Sequence, residues 1–156
     1  MRQYIISLDI DPIYLDAAYA TLPLHCTIMP RFETLMTAAE IVRRVEYPFK
    51  RSGFIPVESD RLDHFGVDKD VLAHRIKPEE SVRNLHKQIL SILKRAGARF
   101  PESSHWLGDN FTPHVSHASD REFSSGRAHV FRTATVFERY TVDGKKILRP
   151  QASIRL

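Results

Sequence analysis

A chain of 156 residues, 42% hydrophobic and 27% charged, has the composition of a water-soluble globular protein and is expected to fold as one domain, residues 1–156, around a substantial core. No apolar run is long enough to span a membrane, and Met1 to Ser7 lacks the hydrophobic core and cleavage site of a secretion signal, so a cytoplasmic, monomeric chain without membrane contact is expected. The single cysteine, Cys26, excludes an internal disulfide and any cysteine-based metal cluster, and the formal charge of +4 suits an anionic partner without identifying one.

In chain order, the β-branched run Tyr4-Ile5-Ile6-Ser7-Leu8-Asp9-Ile10 reads as a first, central strand. Asp11-Pro12 has the form of a helix N-cap followed by proline at the first helical position, which predicts a short helix to about Ala20. A strand through Leu24-His25-Cys26-Thr27-Ile28 follows, and Pro30 is expected to end it. Thr37, with Glu40 three residues on, predicts a capped helix whose stripe is Ile41, Val42 and Val45 and which Pro48 closes.

Residues 54–57 and 71–76 read as short strands, with Gly66, Asp68 and Asp70 marking turns. His64 and His74 lie there without a hydroxyl two residues away and are assigned to structure or surface. The clearest helix begins at Pro78-Glu79-Glu80-Ser81. Its stripe is Val82, Leu85, Ile89, Ile92, Leu93 and Ala96, its C-terminal signal is Gly97, and His86 is placed off the stripe and exposed.

Phe100 to Asn110 is loop-like, with Pro101, Ser103, Ser104, Gly108 and Asp109. It carries His105 and Trp106, and the latter either anchors the loop to the core or stacks on a base. Beyond Pro113-His114-Val115-Ser116-His117 come Arg121, a Ser-Ser-Gly turn at 124–126, and strands at 128–131 and 134–140. Asp143-Gly144 is a strong hairpin turn, and strands at 147–148 and 152–156 close the sheet. Interleaved helices and frequent hairpins give an α+β class with a mostly antiparallel sheet.

Two of these segments carry the chemistry. In a strand, residues two apart share a face, so His25 projects with Thr27, and His114 with Ser116. Cys26 and Val115 then point the other way, toward a core, which makes Cys26 a buried structural thiol rather than a nucleophile. A lone His-x-Thr among eight histidines is commonplace. Two copies in strands, half a chain apart, would bring two imidazoles and two hydroxyls into one cleft, a set suited to acid/base chemistry on a phosphoryl group without a metal. Nothing in the spacing resembles a metal-ligand motif, and no cofactor is expected. Arg31, just beyond the first motif, either reaches back to a bound phosphate or is a solvated strand-end charge.

The segments His25-Cys26-Thr27 and Phe111-Thr112-Pro113-His114-Val115-Ser116 resemble the paired His-x-Thr/Ser signatures of the 2H phosphoesterase superfamily, which includes 2′-5′ RNA ligase-like proteins and cyclic nucleotide phosphodiesterases. The second motif carries Ser where Thr is frequent, and the stretch between the first strand and the first motif is short. The resemblance implies a bilobal fold of antiparallel sheets with two to three helices, each lobe giving one central motif strand to a cleft between them. It implies catalysis by His25, Thr27, His114 and Ser116, with Arg31, Trp106 and Arg121 as candidate substrate contacts. One histidine would act as base and the other as acid, and the hydroxyls would hold the non-bridging oxygens. The implied partner is a nucleotide or RNA bearing a 2′,3′-cyclic phosphate, a 2′-5′ linkage or a cyclic oligonucleotide, with ligation as the reverse reaction. A non-catalytic module that binds RNA ends or nucleotides is the alternative.

Overall fold

Strand β1 (Arg2–Asp9) forms where the β-branched run predicts it, and its alternation separates two environments. Tyr4, Ile6 and Leu8 are buried against the core, while Ser7 and Asp9 alternate with them as buried polar groups. The computed structural model describes residues 1–66, 68–101, 106–118 and 121–156. The further elements are β2 (His25–Thr34), α1 (Ala38–Ser52), β3 (Ile55–Phe65), β4 (Val71–Lys77), α2 (Glu80–Arg95), a single 3₁₀ turn at Gly108–Asn110, β5 (His114–Ser116), β6 (Ala128–Phe131), β7 (Thr133–Val142) and β8 (Lys145–Arg155).

The strands make two four-stranded sheets, ordered β2-β1-β7-β8 and β5-β4-β3-β6, and the pairings within both are antiparallel. The class is α+β and bilobal, as the resemblance implies. The motif strands, however, are edge strands rather than central ones: β2 ends the first sheet and β5 the second, and these two edges lie against each other. A strand with no neighbour on one side leaves room there, and the meeting of two such edges creates the cleft.

Helix α1 is capped as the Thr37/Glu40 pattern requires, with the Thr37 hydroxyl accepting from the Glu40 N–H and the Glu40 carboxylate accepting from the Thr37 N–H. Several elements differ from expectation, β3 among them, which runs on to Phe65 rather than ending near residue 57. Pro48 does not end α1; it lies inside the helix, because it shares a buried face with Ile41, Val45 and Phe49 whose packing outweighs the lost backbone bond. Pro30 does not end β2, because the β1–β2 register skips from Met29 opposite Ile6 to Phe32 opposite Tyr4, so the residue lacking an N–H falls in a bulge of an edge strand.

No helix forms over 11–20. Asp11 is instead engaged by the Arg121 guanidinium and by the Leu24 N–H. Tyr19 bridges to Leu148 by two backbone bonds, and its ring meets Phe137 edge-on. These tertiary anchors override the local helix signal. At the other end of the chain, β8 is one long strand rather than two short ones, continuous through Pro150 by a register shift opposite Phe137. The Asp143-Gly144 turn forms as read, with both residues at positive φ.

The largest correction concerns His86, which is buried rather than exposed. Counting from Val82, positions 86, 89 and 93 fall on one helical face, so His86 belongs to the stripe that packs α2 inward. Its Nδ1–H donates to the Ile28 carbonyl of β2 at 2.8 Å, and its Nε2 accepts from the Gly108 N–H at 3.0 Å. The ring lies flat on Phe111, centroids 3.9 Å apart and planes 7° apart. Both nitrogens are satisfied only in the neutral tautomer, and burial holds the imidazole below its ordinary pKa.

His86→Ala leaves the buried Ile28 carbonyl and the partly buried Gly108 N–H without this partner, so it is expected to lower unfolding stability by about 2–4 kcal/mol in urea titrations. Because the folded-state pKa is depressed, the contribution of His86 is present above about pH 6.5. It is lost as pH falls through the lower folded value, and the wild-type advantage over the mutant should shrink in acid.

Candidate active site

His25 opens β2 opposite Asp9, and Thr27 lies opposite Ser7, so both motif-one side chains rise from the polar face of the first sheet. In the second sheet His114 pairs with Arg75 and Ser116 with Ala73. The two candidate histidines are anchored in the same way. The His25 Nδ1–H donates to the carbonyl of Pro23 at 2.8 Å, and the His114 Nδ1–H donates to the carbonyl of Thr112 at 2.9 Å, two residues upstream in each case. A carbonyl only accepts, so both rings are fixed with the proton on Nδ1, and Nε2 is left as the atom for a reacting group. His114 is further held by stacking on Phe65, centroids 3.9 Å apart.

Strand alternation turns Cys26 into the core, where burial pushes its thiol up to about 12. A hydrogen bond with the His114 backbone offsets only part of that rise and ties the two motif strands directly together. Cys26 is a structural contact between the motifs, as its place in the strand requires.

Desolvation lowers the pKa of both candidate histidines. For His25 the hydrogen bond to Pro23 works against that shift, while the charges of His114 and Lys146 lower it further. For His114 only the Thr112 bond opposes burial. The two imidazoles therefore interact electrostatically across the cleft, and each is mostly neutral at pH 7 with no substrate present.

Two cavities meet at Thr27. One, of about 290 Å³, is lined by Pro30, Phe65, Gly66, Val71, Trp106, Phe111 and Thr112 together with Thr27 and His114, and is largely aromatic. The other, of about 280 Å³, holds His25, Thr27, Ser116, His117 and Lys146 among its lining residues and is the more polar of the two. His25, Thr27, His114 and Ser116 are thus brought to one cleft. Trp106 also faces it, 41% exposed, on the aromatic side.

Arg31 lies further along β2 and lines neither cavity. Arg121 pairs with Asp11 at 2.8 Å and joins the loop after β5 to the loop after β1. Ser103, Ser104 and His105 lie outside the described residues. His64 is exposed, its Nδ1 near the Lys69 carbonyl. His74 is buried with its ring stacked near that of His117, centroids 5.7 Å apart.

Several site residues carry no motif. Phe65, Phe111, His117 and Lys146 reach the cleft from separate elements. Asp9 sits beneath it as a buried carboxylate pushed up to about 6 by desolvation, although Ser7, Thr133 and Thr135 all donate hydroxyl bonds to it. An acidic residue inside an apolar strand run is the available signal for Asp9. Among the described residues, no three His, Cys, Asp or Glu side chains gather as a metal-binding set, and no helix is long and apolar enough to cross a membrane.

Among solved structures, a chain described only as a phosphoesterase superposes with a TM-score of 0.64 at 13% identity, covering 99% of this chain and 98% of its own. Escherichia coli LigT complexed with 3′-AMP gives the same score, identity and coverage. TT0787 of Thermus thermophilus gives 0.59 at 12% identity, covering 100% of this chain and 98% of its own. These likenesses establish the fold. No curated protein matches the sequence. The sequence pattern of the 2′-5′ RNA ligase superfamily matches residues 6–141, a span that runs from β1 through both motifs into β7, and the chain belongs to that superfamily of 2H phosphoesterases.

Proposed function

We propose that the protein is a metal-independent phosphodiesterase that acts on a 2′,3′-cyclic phosphate, or on a 2′-5′-linked or cyclic oligonucleotide, by two-histidine general acid/base catalysis. The observation that carries this reading is the matched anchoring of His25 and His114, each with Nδ1–H on the carbonyl two residues upstream and each facing the same cleft. Family membership and the LigT complexes with 3′-AMP, ATP and NADP⁺ support a nucleotide substrate.

For a cyclic phosphate, the neutral Nε2 of one histidine takes a proton from the water whose oxygen attacks phosphorus. The protonated Nε2 of the other gives its proton to the departing ribose oxygen as that P–O bond breaks. Thr27 and Ser116 donate to the non-bridging oxygens and hold the phosphoryl group in line. With a ribose hydroxyl of a second strand in place of water, the same exchange opens the cyclic phosphate to a phosphodiester and joins two ends, and in the reverse cleavage the two histidines swap roles. Trp106, exposed on the aromatic side, is the ring on which the base would stack.

A panel of 2′,3′-cyclic mononucleotides, a 2′-5′-linked adenylate and a 3′-5′ cyclic dinucleotide, assayed in EDTA, tests this. Turnover of at least one member should survive chelation, and His25→Ala and His114→Ala should each reduce it by about 10²- to 10⁴-fold. Near-wild-type turnover in either mutant, or loss of activity in EDTA, would contradict the mechanism. Saturable binding without turnover would point to a binding module instead.

The pH profile has a definite sign. Because both imidazoles sit below 6.5 in the free enzyme, the bell of kcat/KM should peak below pH 6.5 and decline toward neutrality. An anionic substrate raises both values, so the kcat optimum should lie at higher pH than that of kcat/KM. Coincident optima near neutrality would argue against burial as the controlling influence.

A further inference from the structure

The cleft is asymmetric in charge. The aromatic cavity has no charged lining residue apart from the imidazole of His114, whereas the cavity beyond Thr27 is lined by three nitrogen bases, His25, His117 and Lys146. None of the described residues lining that second cavity is a carboxylate. Lys146 comes from the β7–β8 hairpin, far in sequence from both motifs, yet its charge bears on His25. Two carboxylates adjoin it from outside the lining: Asp9, opposite His25 in the β1–β2 ladder, and Glu122, 3.5 Å from His117 Nε2.

At about 280 Å³, this compartment matches the aromatic one in volume. On the proposed mechanism a phosphoryl group held by Thr27 and Ser116 would occupy the Thr27 end of this polar cavity, which leaves the ground around Lys146 and His117 for something else. A strongly hydrated point charge such as a lysine ammonium favours an anion there.

From this arrangement we infer that the polar cavity is a subsite for a second phosphate, carried on the side of the scissile phosphodiester away from the base, with Lys146 as its main contact. This rests on the phosphodiesterase reading and names its substrate class: an oligonucleotide with at least one further phosphate on that side, rather than a mononucleotide. Lys146 then acts as a specificity-determining residue, since its contact is made only by substrates that extend past the reacting phosphorus.

The test is a binding comparison between two deoxyadenylate dinucleotides, one ending in a 3′-hydroxyl and the other in a 3′-phosphate. The absent 2′-hydroxyl removes the internal nucleophile, so affinity is read without cleavage through that group. Wild-type protein should bind the phosphorylated dinucleotide about tenfold more tightly or better, the range of a charge-assisted hydrogen bond. That advantage should diminish with added salt.

Lys146→Met should bind the two ligands alike, and Lys146→Arg should retain a preference. Equal binding of the two by the wild type, or a preference undiminished in Lys146→Met, overturns the subsite. The phosphodiesterase reading fails separately, if the wild type turns over no member of the hydrolysis panel. If neither dinucleotide binds at all, the subsite is also refuted, whatever the hydrolysis panel gives.

Discussion

Everything at the cleft depends on how two strands from different sheets are held in register with each other, and a buried imidazole does much of that work. His86 on α2 donates to the Ile28 carbonyl just past the first motif and accepts from the Gly108 N–H on the approach to the second. Phe111, three residues before His114, lies flat on its ring. The Ile28 carbonyl is buried and the Gly108 N–H partly so, and the neutral imidazole satisfies both at once. The Cys26 contact with the His114 backbone adds a second tie on the core side. No ladder of sheet hydrogen bonds joins β2 to β5, and these ties set their spacing instead. The Arg121–Asp11 ion pair closes the same junction at the surface.

Burial is also what tunes the site. The upstream carbonyls that orient His25 and His114 favour the charged imidazolium, yet desolvation outweighs them and leaves both rings easier to deprotonate than usual. Two bases that also repel one another when charged favour a singly protonated pair near the middle of their titration. That is the state in which one ring accepts a proton and the other donates one. An anionic phosphoryl group entering between them supplies the missing counter-charge, so the proposed substrate would complete the electrostatics of the cleft. The aromatic and basic compartments on either side of Thr27 extend the same complementarity outward, one toward a base and the other toward further negative charge.

Much of this is legible in the sequence because it rests on local rules. The two-residue period of a strand places His25 with Thr27 and turns Cys26 inward. The capping box starts α1 at the expected residue, and Asp143-Gly144 makes its hairpin. Where the sequence misleads, distant partners decide. Asp11-Pro12 carries a sound helix-start signal, but Arg121 and Leu148, more than a hundred residues away, hold that segment out of a helix. Pro48 and Pro30 look like breaks because proline removes a donor, yet each is tolerated where a buried face or a bulge compensates. His86 misleads for a different reason: its place beside Leu85 reads as off the centre of the stripe, yet it lies four residues after Val82 and three before Ile89 on the buried face, where Ile28 and Gly108 take both ring nitrogens. Lys146 has no local signature at all, since only the closing of the first sheet carries it to His25.

The most direct measurement is an NMR titration of the His25 and His114 ring protons, in wild type and in each His→Ala mutant, with and without inorganic phosphate. Both rings in the free protein should titrate below pH 6.5, and phosphate should raise both. Removing either histidine should move the pKa of the other upward, because a like charge across the cleft has been taken away. Two ordinary imidazole titrations, indifferent to phosphate and to each other, would mean that the pair does not act on a shared phosphoryl group.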